Sequence, residues 1–290
     1  MFEKNLTFDL SGKTAVVTGG GGVLCSGFSK TLAAAGARVA VCDLRLDAAE
    51  AVASDIRANG GEAIAVEMNV LDKKSVEAAF AVITEKLGET NILVNGAGGN
   101  NPKGSTSRDE LTPDEVEALD RDGSIDGIKT FFDLDPEGIS FVFNLNFLGT
   151  LIPTQVFARD MAKRGGTIIN ISSMNAFRPL TRIPAYSGAK AAVSNFTQWL
   201  AVHFAPVGIR VNAIAPGFFL TEQNRTLLTN PDGSLTPRSD KILSHTPMKR
   251  FGVPADLDGT LLWLADERHS AFVDGVVIPV DGGFAAYSGV

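Results

Sequence analysis

Tyr186 and Lys190 stand four residues apart in Tyr186-Ser187-Gly188-Ala189-Lys190. At helical spacing the two side chains share one face, one turn apart. A free tyrosine titrates near 10, too high for acid–base work at neutral pH, and a neighbouring cation lowers that by about 1–3 pH units. A phenol tuned this way can protonate a carbonyl oxygen while hydride arrives at the carbon, or deprotonate an alcohol in reverse. Ser187-x-x-Lys190 also fits a penicillin-binding nucleophile pattern, but its Ser-Asp-Asn and Lys-Thr-Gly partners are missing. The three histidines, His203, His245 and His269, show no ligand spacing, and the two cysteines, Cys25 and Cys42, are too few for a disulfide framework or a zinc site.

A second chemical signal lies near the N-terminus. Thr18-Gly19-Gly20-Gly21-Gly22-Val23-Leu24-Cys25 follows an apolar run and precedes a helical pattern. Glycines let the backbone turn tightly against a pyrophosphate, and the helix start offers free N–H groups and a positive dipole end. Asp43 closes the next apolar run, where a carboxylate accepts hydrogen bonds from ribose hydroxyls and repels a 2′-phosphate. The acid favours NAD over NADP, and Arg45 two residues on tempers that preference.

The elements that must carry these groups follow from periodicity. Strands are expected at Lys13–Thr18, Arg38–Cys42, Ala63–Val66, Ile92–Val94, Thr167–Ile171, Ile209–Ile214 and Val276–Val280. Helices are expected at Ser26–Ala35, Asp47–Asn59, Lys73–Leu87, Phe141–Lys163, Ala185–Phe204 and Asp256–Ala265. The alternation implies an α/β architecture: a doubly wound, Rossmann-type three-layer sandwich with a seven-stranded parallel sheet. Apolar rather than alternating strands fit a sheet covered on both faces. Without a Pro-, Gly- or Ser-rich linker, residues 1–290 read as one domain. Two segments break the rhythm and are expected to be structureless: an insertion at about 101–140 and a substrate lid at about 216–250.

The net charge is −7, and the 101–140 insertion alone carries eleven acids against four bases. The remainder is balanced, so the acidity describes a solvated surface segment and argues against a nucleic-acid partner. The N-terminus lacks the apolar core of a signal peptide, and no apolar run approaches 18 residues. A cytoplasmic chain without a membrane span is the expectation.

A series of motifs stands in order along the chain: the Thr18-Gly19 loop, Asn95-Gly96-Ala97-Gly98, Asn146, Ser173 in Asn170-Ile171-Ser172-Ser173, the Tyr186/Lys190 pair, Pro216-Gly217 with Thr221, and Val280-Asp281-Gly282-Gly283. From about residue 9 to residue 284 the chain resembles a classical short-chain dehydrogenase/reductase. The resemblance implies a catalytic set of Asn146, Ser173, Tyr186 and Lys190. Ser173 would hydrogen-bond the substrate oxygen, Lys190 would also hold the nicotinamide ribose, and Asn146 would hold a proton-relaying water. It implies cofactor contacts from Gly19, Gly22, Val23, Leu24, Asp43, Asn69, Val70, Asn95, Gly96, Ala97, Gly98, Tyr186, Lys190, Pro216, Gly217, Phe219 and Thr221. A homo-oligomer, commonly a tetramer, is implied as well. Three departures stand out: Val23 and Cys25 replace usual glycines, Gly96 replaces a usual Asn, and Asn69 replaces a usual Asp.

The substrate is expected to be a small anionic polyhydroxy compound. Asn100, Asn175, Arg178, Arg182, Asn224 and Arg225 fall in loops near the catalytic positions, and Arg binds carboxylates through paired hydrogen bonds. The long insertion and Phe143–Thr150 resemble a sugar-acid branch of the family that includes D-mannonate oxidoreductase (fructuronate reductase). That likeness implies reversible reduction of a ketone on a sugar acid. Two rival readings are a 3-oxoacyl carrier-protein reductase and a dinucleotide-sensing protein without catalysis.

Overall fold

The computed structural model describes residues 7–122, 125, 127–220 and 228–289. Seven parallel strands form one sheet in the order β3-β2-β1-β4-β5-β6-β7. They are β1 (Thr14–Thr18), β2 (Arg38–Asp43), β3 (Glu62–Glu67), β4 (Ile92–Asn95), β5 (Gly166–Ile171), β6 (Ile209–Pro216) and β7 (Val277–Val280). The strand order reverses between β1 and β4, which opens a crevice beyond the carboxyl ends of the strands.

Helices cover both faces. On one side α1 (Val23–Ala34), α2 (Leu46–Ala58) and α9 (Asp258–Ala265) bury Phe28, Leu32, Ile56, Leu261 and Leu264 against Val17, Val39 and Val41. On the other, α3 (Lys73–Leu87), α6 (Gly149–Met161) and α7 (Pro184–Phe204) bury Ile83, Phe157, Met161 and Leu200 against Val16, Ala40 and Ile168. Successive β1 residues thus feed opposite cores, as a two-sided sheet requires.

Local signals explain the boundaries. Asp72 caps α3 by accepting from Lys74 N at 3.0 Å, and Gly88, at φ +82°, stops it. Helix α1 starts at Val23 rather than Ser26, so Val23 and Leu24 belong to its first turn. A short helix α10 (Glu267–Ser270), unmarked by periodicity, precedes β7.

The expected helix Phe141–Lys163 is three pieces. Helix α5 (Pro136–Phe143) begins earlier, behind an Asp135 cap and Pro136. A π turn then spans Asn144–Leu148 before α6, whose Pro153 has no N–H to give. Together Pro136–Met161 is long and apolar enough to cross a membrane by length and composition, contrary to the sequence reading. The stretch instead packs Val142, Phe157, Ala158 and Met161 into the interior.

Neither irregular segment is structureless. The insertion holds α4 (Pro113–Asp122), and the 216–250 segment holds α8 (Pro237–Ser244), capped by Thr236 through Ser239 N. Both helices are short and mostly polar, so too few apolar positions recur for periodicity to detect.

Candidate active site

The crevice is built from strand ends and helix starts. At the β1–α1 turn no side chain caps α1; Gly22 occupies the cap position, so first-turn N–H groups point outward without side-chain partners. Asp43, ending β2, accepts from Gly21 N and Arg45 N, each at 3.0 Å. The carboxylate is thereby fixed beside the glycine loop, where a ribose would meet it. Asn69 folds onto its own turn, its side chain accepting from Leu71 N at 3.0 Å, while Val70 is buried against Gly149.

The β4 end contributes Gly96, Ala97 and Gly98. Thr18 Oγ1 accepts from Gly96 N at 3.1 Å and Ala97 N at 3.2 Å. Asn95 does not face the crevice. Its amide donates at 2.9 Å to Thr154 Oγ1 and to Asn170 Oδ1, in the sheet interior. A Cβ on Gly98 would sit 2.6 Å from Asn146 Oδ1 and 3.1 Å from Lys190 Nζ, so glycine is required where β4 meets those groups.

Two departures from the family pattern answer each other. A Cβ on Gly96 would lie 2.2 Å from Cys25 Sγ. The thiol fills volume that a side chain at 96 would need. Burial pushes the Cys25 thiol up to about 12 despite the nearby Lys190 charge and the helix start, so it is an inert packing group.

Asn146 is completely buried in the π turn. Its amide donates to Val142 O at 2.7 Å and Gly99 O at 2.8 Å, and its carbonyl accepts from Gly99 N at 3.2 Å. Thr150 Oγ1 donates to Asn146 O at 2.9 Å and Thr154 Oγ1 to Thr150 O at 2.7 Å, which pins this wall to the Asn95–Asn170 pair.

Tyr186 and Lys190 lie on α7 as their spacing predicts, and Ser173 follows β5. The Ser173 side chain accepts from Asn175 N at 3.2 Å and hydrogen-bonds the Tyr186 side chain. Lys190 Nζ lies 5.6 Å from the Tyr186 ring centroid and donates to Ile171 O at 2.7 Å. The electrostatics differ from the sequence expectation. Burial pushes the Tyr186 phenol above its ordinary value of 10, opposed by the Ser173 hydrogen bond rather than by Lys190. Lys190 sits over the ring face with its proton on a backbone carbonyl, not on the phenolic oxygen. Burial drives Lys190 down to about 8.

Pro216 ends β6, Gly217 N donates to Val280 O at 3.0 Å, and Phe219 is buried against Gly252. Thr221, Asn224 and Arg225 lie outside the described residues. Most of the substrate-side candidates are already engaged. Asn100 Nδ2 donates to Ser105 Oγ at 3.0 Å, Asn175 is buried beside Ser173, and Arg182 Nε donates to Asp109 Oδ1 at 2.6 Å. Arg178 Nε donates to Ala285 O at 3.1 Å. Sequence reading missed the contacts of Asp109 and of Ala285 because both approach from remote positions in the chain. Among the described residues no group of three His, Cys, Asp or Glu side chains could hold a metal ion.

Residues 13–232 match the short chain dehydrogenase family. An uncharacterized oxidoreductase of Haemophilus influenzae is 56% identical over 283 residues, 97% of this chain and 96% of that protein. A solved structure from the same species, provisionally named a D-mannonate oxidoreductase and holding NAD, is 54% identical and superposes with a TM-score of 0.91 over 97% of this chain and 98% of its own. Two relatives at 32% identity differ in chemistry. One is the 7α-hydroxysteroid dehydrogenase of Escherichia coli, over 94% of both chains, and the other the 2-dehydro-3-deoxy-D-gluconate 5-dehydrogenase of Dickeya dadantii, over 97% of this chain and 98% of that one. The chain belongs to the short chain dehydrogenase family, and its parallel sheet and flanking helices are that family's α/β fold.

Proposed function

We propose that this dehydrogenase uses NAD(H) to interconvert a ketone and an alcohol on a sugar acid, of the fructuronate–mannonate type. The convergence of Ser173, Tyr186, Lys190 and Asn146 at the carboxyl edge of the sheet carries the reading. The provisional name and bound NAD of the Haemophilus influenzae structure support the substrate class and cofactor. The residues fit a dinucleotide: α1 starts uncapped, Asp43 is fixed beside it, and Gly98 leaves open the approach to Lys190.

When bound, NADH supplies the hydride and its ring becomes positively charged. Ser173 holds the carbonyl oxygen next to Tyr186. The Tyr186 hydroxyl gives its proton to that oxygen, so C=O becomes CH–OH and the residue becomes a phenolate. The Lys190 ammonium stabilises the phenolate, and Asn146 holds the path along which a proton returns from solvent. In the alcohol-oxidising direction the phenolate takes the hydroxyl proton.

Among the described residues Arg182 is committed to Asp109, so Arg178 is our assignment for the substrate carboxylate. Its Nε is anchored on Ala285 O, which fixes the plane of the guanidinium. We also take residues 1–290 to work as one domain, assembled as a homotetramer. Trp199 is 56% exposed and Val202 80% on α7, an apolar face that self-association would cover.

A panel of keto sugar acids, oxo-steroids and 3-oxoacyl thioesters, each with NADH and NADPH, tests the reading. Turnover of the sugar acids with NADH preferred is expected. Turnover of another carbonyl class, with sugar acids inert, overturns the substrate assignment.

A further inference from the structure

We propose that Asp109 is a positioning residue of the substrate cleft, one carboxylate that ties the insertion, the segment leading into α7 and helix α8 into a single rim. This rests on the assignment of Tyr186 as the reacting group.

Asp109 receives Arg182 Nε at 2.6 Å on one oxygen and Lys241 Nζ on the other, and it also hydrogen-bonds the Thr181 side chain. Its side chain is 24% exposed. The three donors come from two segments distant in the chain: 73 residues separate Asp109 from Arg182, and 132 separate it from Lys241. Its carboxyl is held well below the usual carboxylate range, chiefly by the Lys241 and Arg182 hydrogen bonds. It therefore stays charged throughout the physiological range. An exposed ion pair is worth little, but a partly buried carboxylate with several charged donors is a fixed geometric centre.

Its neighbours make the tie local to the chemistry. Thr106 N donates to Arg182 O at 2.9 Å, so the insertion is laced to the same strip of chain by backbone as well. Arg182 precedes α7 by two residues, and Tyr186 lies in the first turn of α7. One turn beyond Lys241, at the C-terminal end of α8, the His245 ring meets Tyr287 edge-on at 6.2 Å, and Met248 N donates to Gly282 O at 3.1 Å. The C-terminal turn of α8 is thus held by both Asp109 and the 281–287 tail, the same tail that anchors Arg178. Lys129 Nζ donates to Pro102 O at 3.2 Å and Lys103 O at 2.6 Å, and Arg108 pairs with the buried Glu115 at 3.2 Å. These contacts stiffen the arm that presents Asp109. Removing the charge would release the Lys241 side of the last turn of α8 and leave Arg182 without its anchor.

Hydrogen exchange on the full-length protein with NAD present tests this without knowing the substrate. In Asp109→Asn, amides of α8 and of 178–184 are expected to exchange about tenfold faster, with the central strands unchanged. Asp109→Glu should restore part of the protection. Lys241→Met should loosen α8 alone, and Arg182→Met the 178–184 segment alone. For whichever carbonyl compound turns over in the panel, Asp109→Asn should raise its KM about tenfold while the KM for NADH stays within about twofold. Uniformly faster exchange across the sheet, or unaltered α8 exchange in Asp109→Asn, overturns the proposal. If no compound in the panel turns over, the exchange pattern still decides it, so its failure is separable from failure of the functional reading.

Discussion

At the residue scale, the site sets an unfavourable charge beside a phenol. Burial holds Tyr186 above 10 and Lys190 near 8. The folded protein therefore binds the Lys190 proton less tightly than the unfolded chain, where lysine titrates near 10.5. Between pH 8 and 10.5 the unfolded state holds more protons, so this group's penalty fades as pH rises. Below that window the buried ammonium costs about 3 kcal/mol, at about 1.4 kcal/mol per pH unit. Without cofactor, Lys190→Met should be more stable than the parent at pH 7, and the gap in denaturant unfolding should close by pH 10. A gap that widens with pH contradicts the buried charge. For Tyr186→Phe, kcat should fall by about 10²–10⁴ while NAD affinity holds, as measured by equilibrium titration. A sensor without catalysis would instead keep its output.

At the element scale, the interrupted helix α5–π turn–α6 is what aims Asn146. A continuous α-helix across 136–161 would rotate Asn146 away from Gly99. The turn instead spends the Asn146 amide on Val142 O and Gly99 O, with Thr150 and Thr154 bracing it from below. π turns recur at functional positions, which agrees with the site proposed around Asn146. The β1–α1 and β4 ends fit together just as closely. Gly96→Ala drives a Cβ to 2.2 Å from Cys25 Sγ and 2.8 Å from Thr18 O. A loss of about 1–3 kcal/mol is expected in thermal or denaturant unfolding. Cys25→Gly in the same chain should recover part of it, and purely additive effects would refute the fit between the two positions.

At the scale of the whole molecule, the crevice lies where the strand order reverses, and the surrounding segments decide what enters it. In the proposed reading Asp43 would meet the adenosine ribose, so Asp43→Ser should reduce the NADH-over-NADPH preference by about tenfold or more, read as the ratio of kcat/KM values. An unchanged ratio would place cofactor selection elsewhere. Much of this was legible in the linear order of residues. Apolar runs against 3.6-residue periodicity marked all seven strands and the main helices, because a buried parallel sheet imposes its pattern locally. Tyr186 and Lys190 were paired by helical spacing alone. The π turn was not legible, since the buried Asn146 amide at its centre takes one of its partners, Gly99, from 47 residues away. Neither were α4 and α8, whose exposed faces need no apolar stripe, nor the direction in which burial moves the phenol. Arg182 looked free for substrate until Asp109 came to it across 73 residues. Local pattern fixes what a segment becomes, because a helix closes its hydrogen bonds within a few residues and a strand buried on both faces must be apolar throughout. Which groups share a cleft, and which charges are already spent, depends on contacts between remote segments, and only the folded chain decides those.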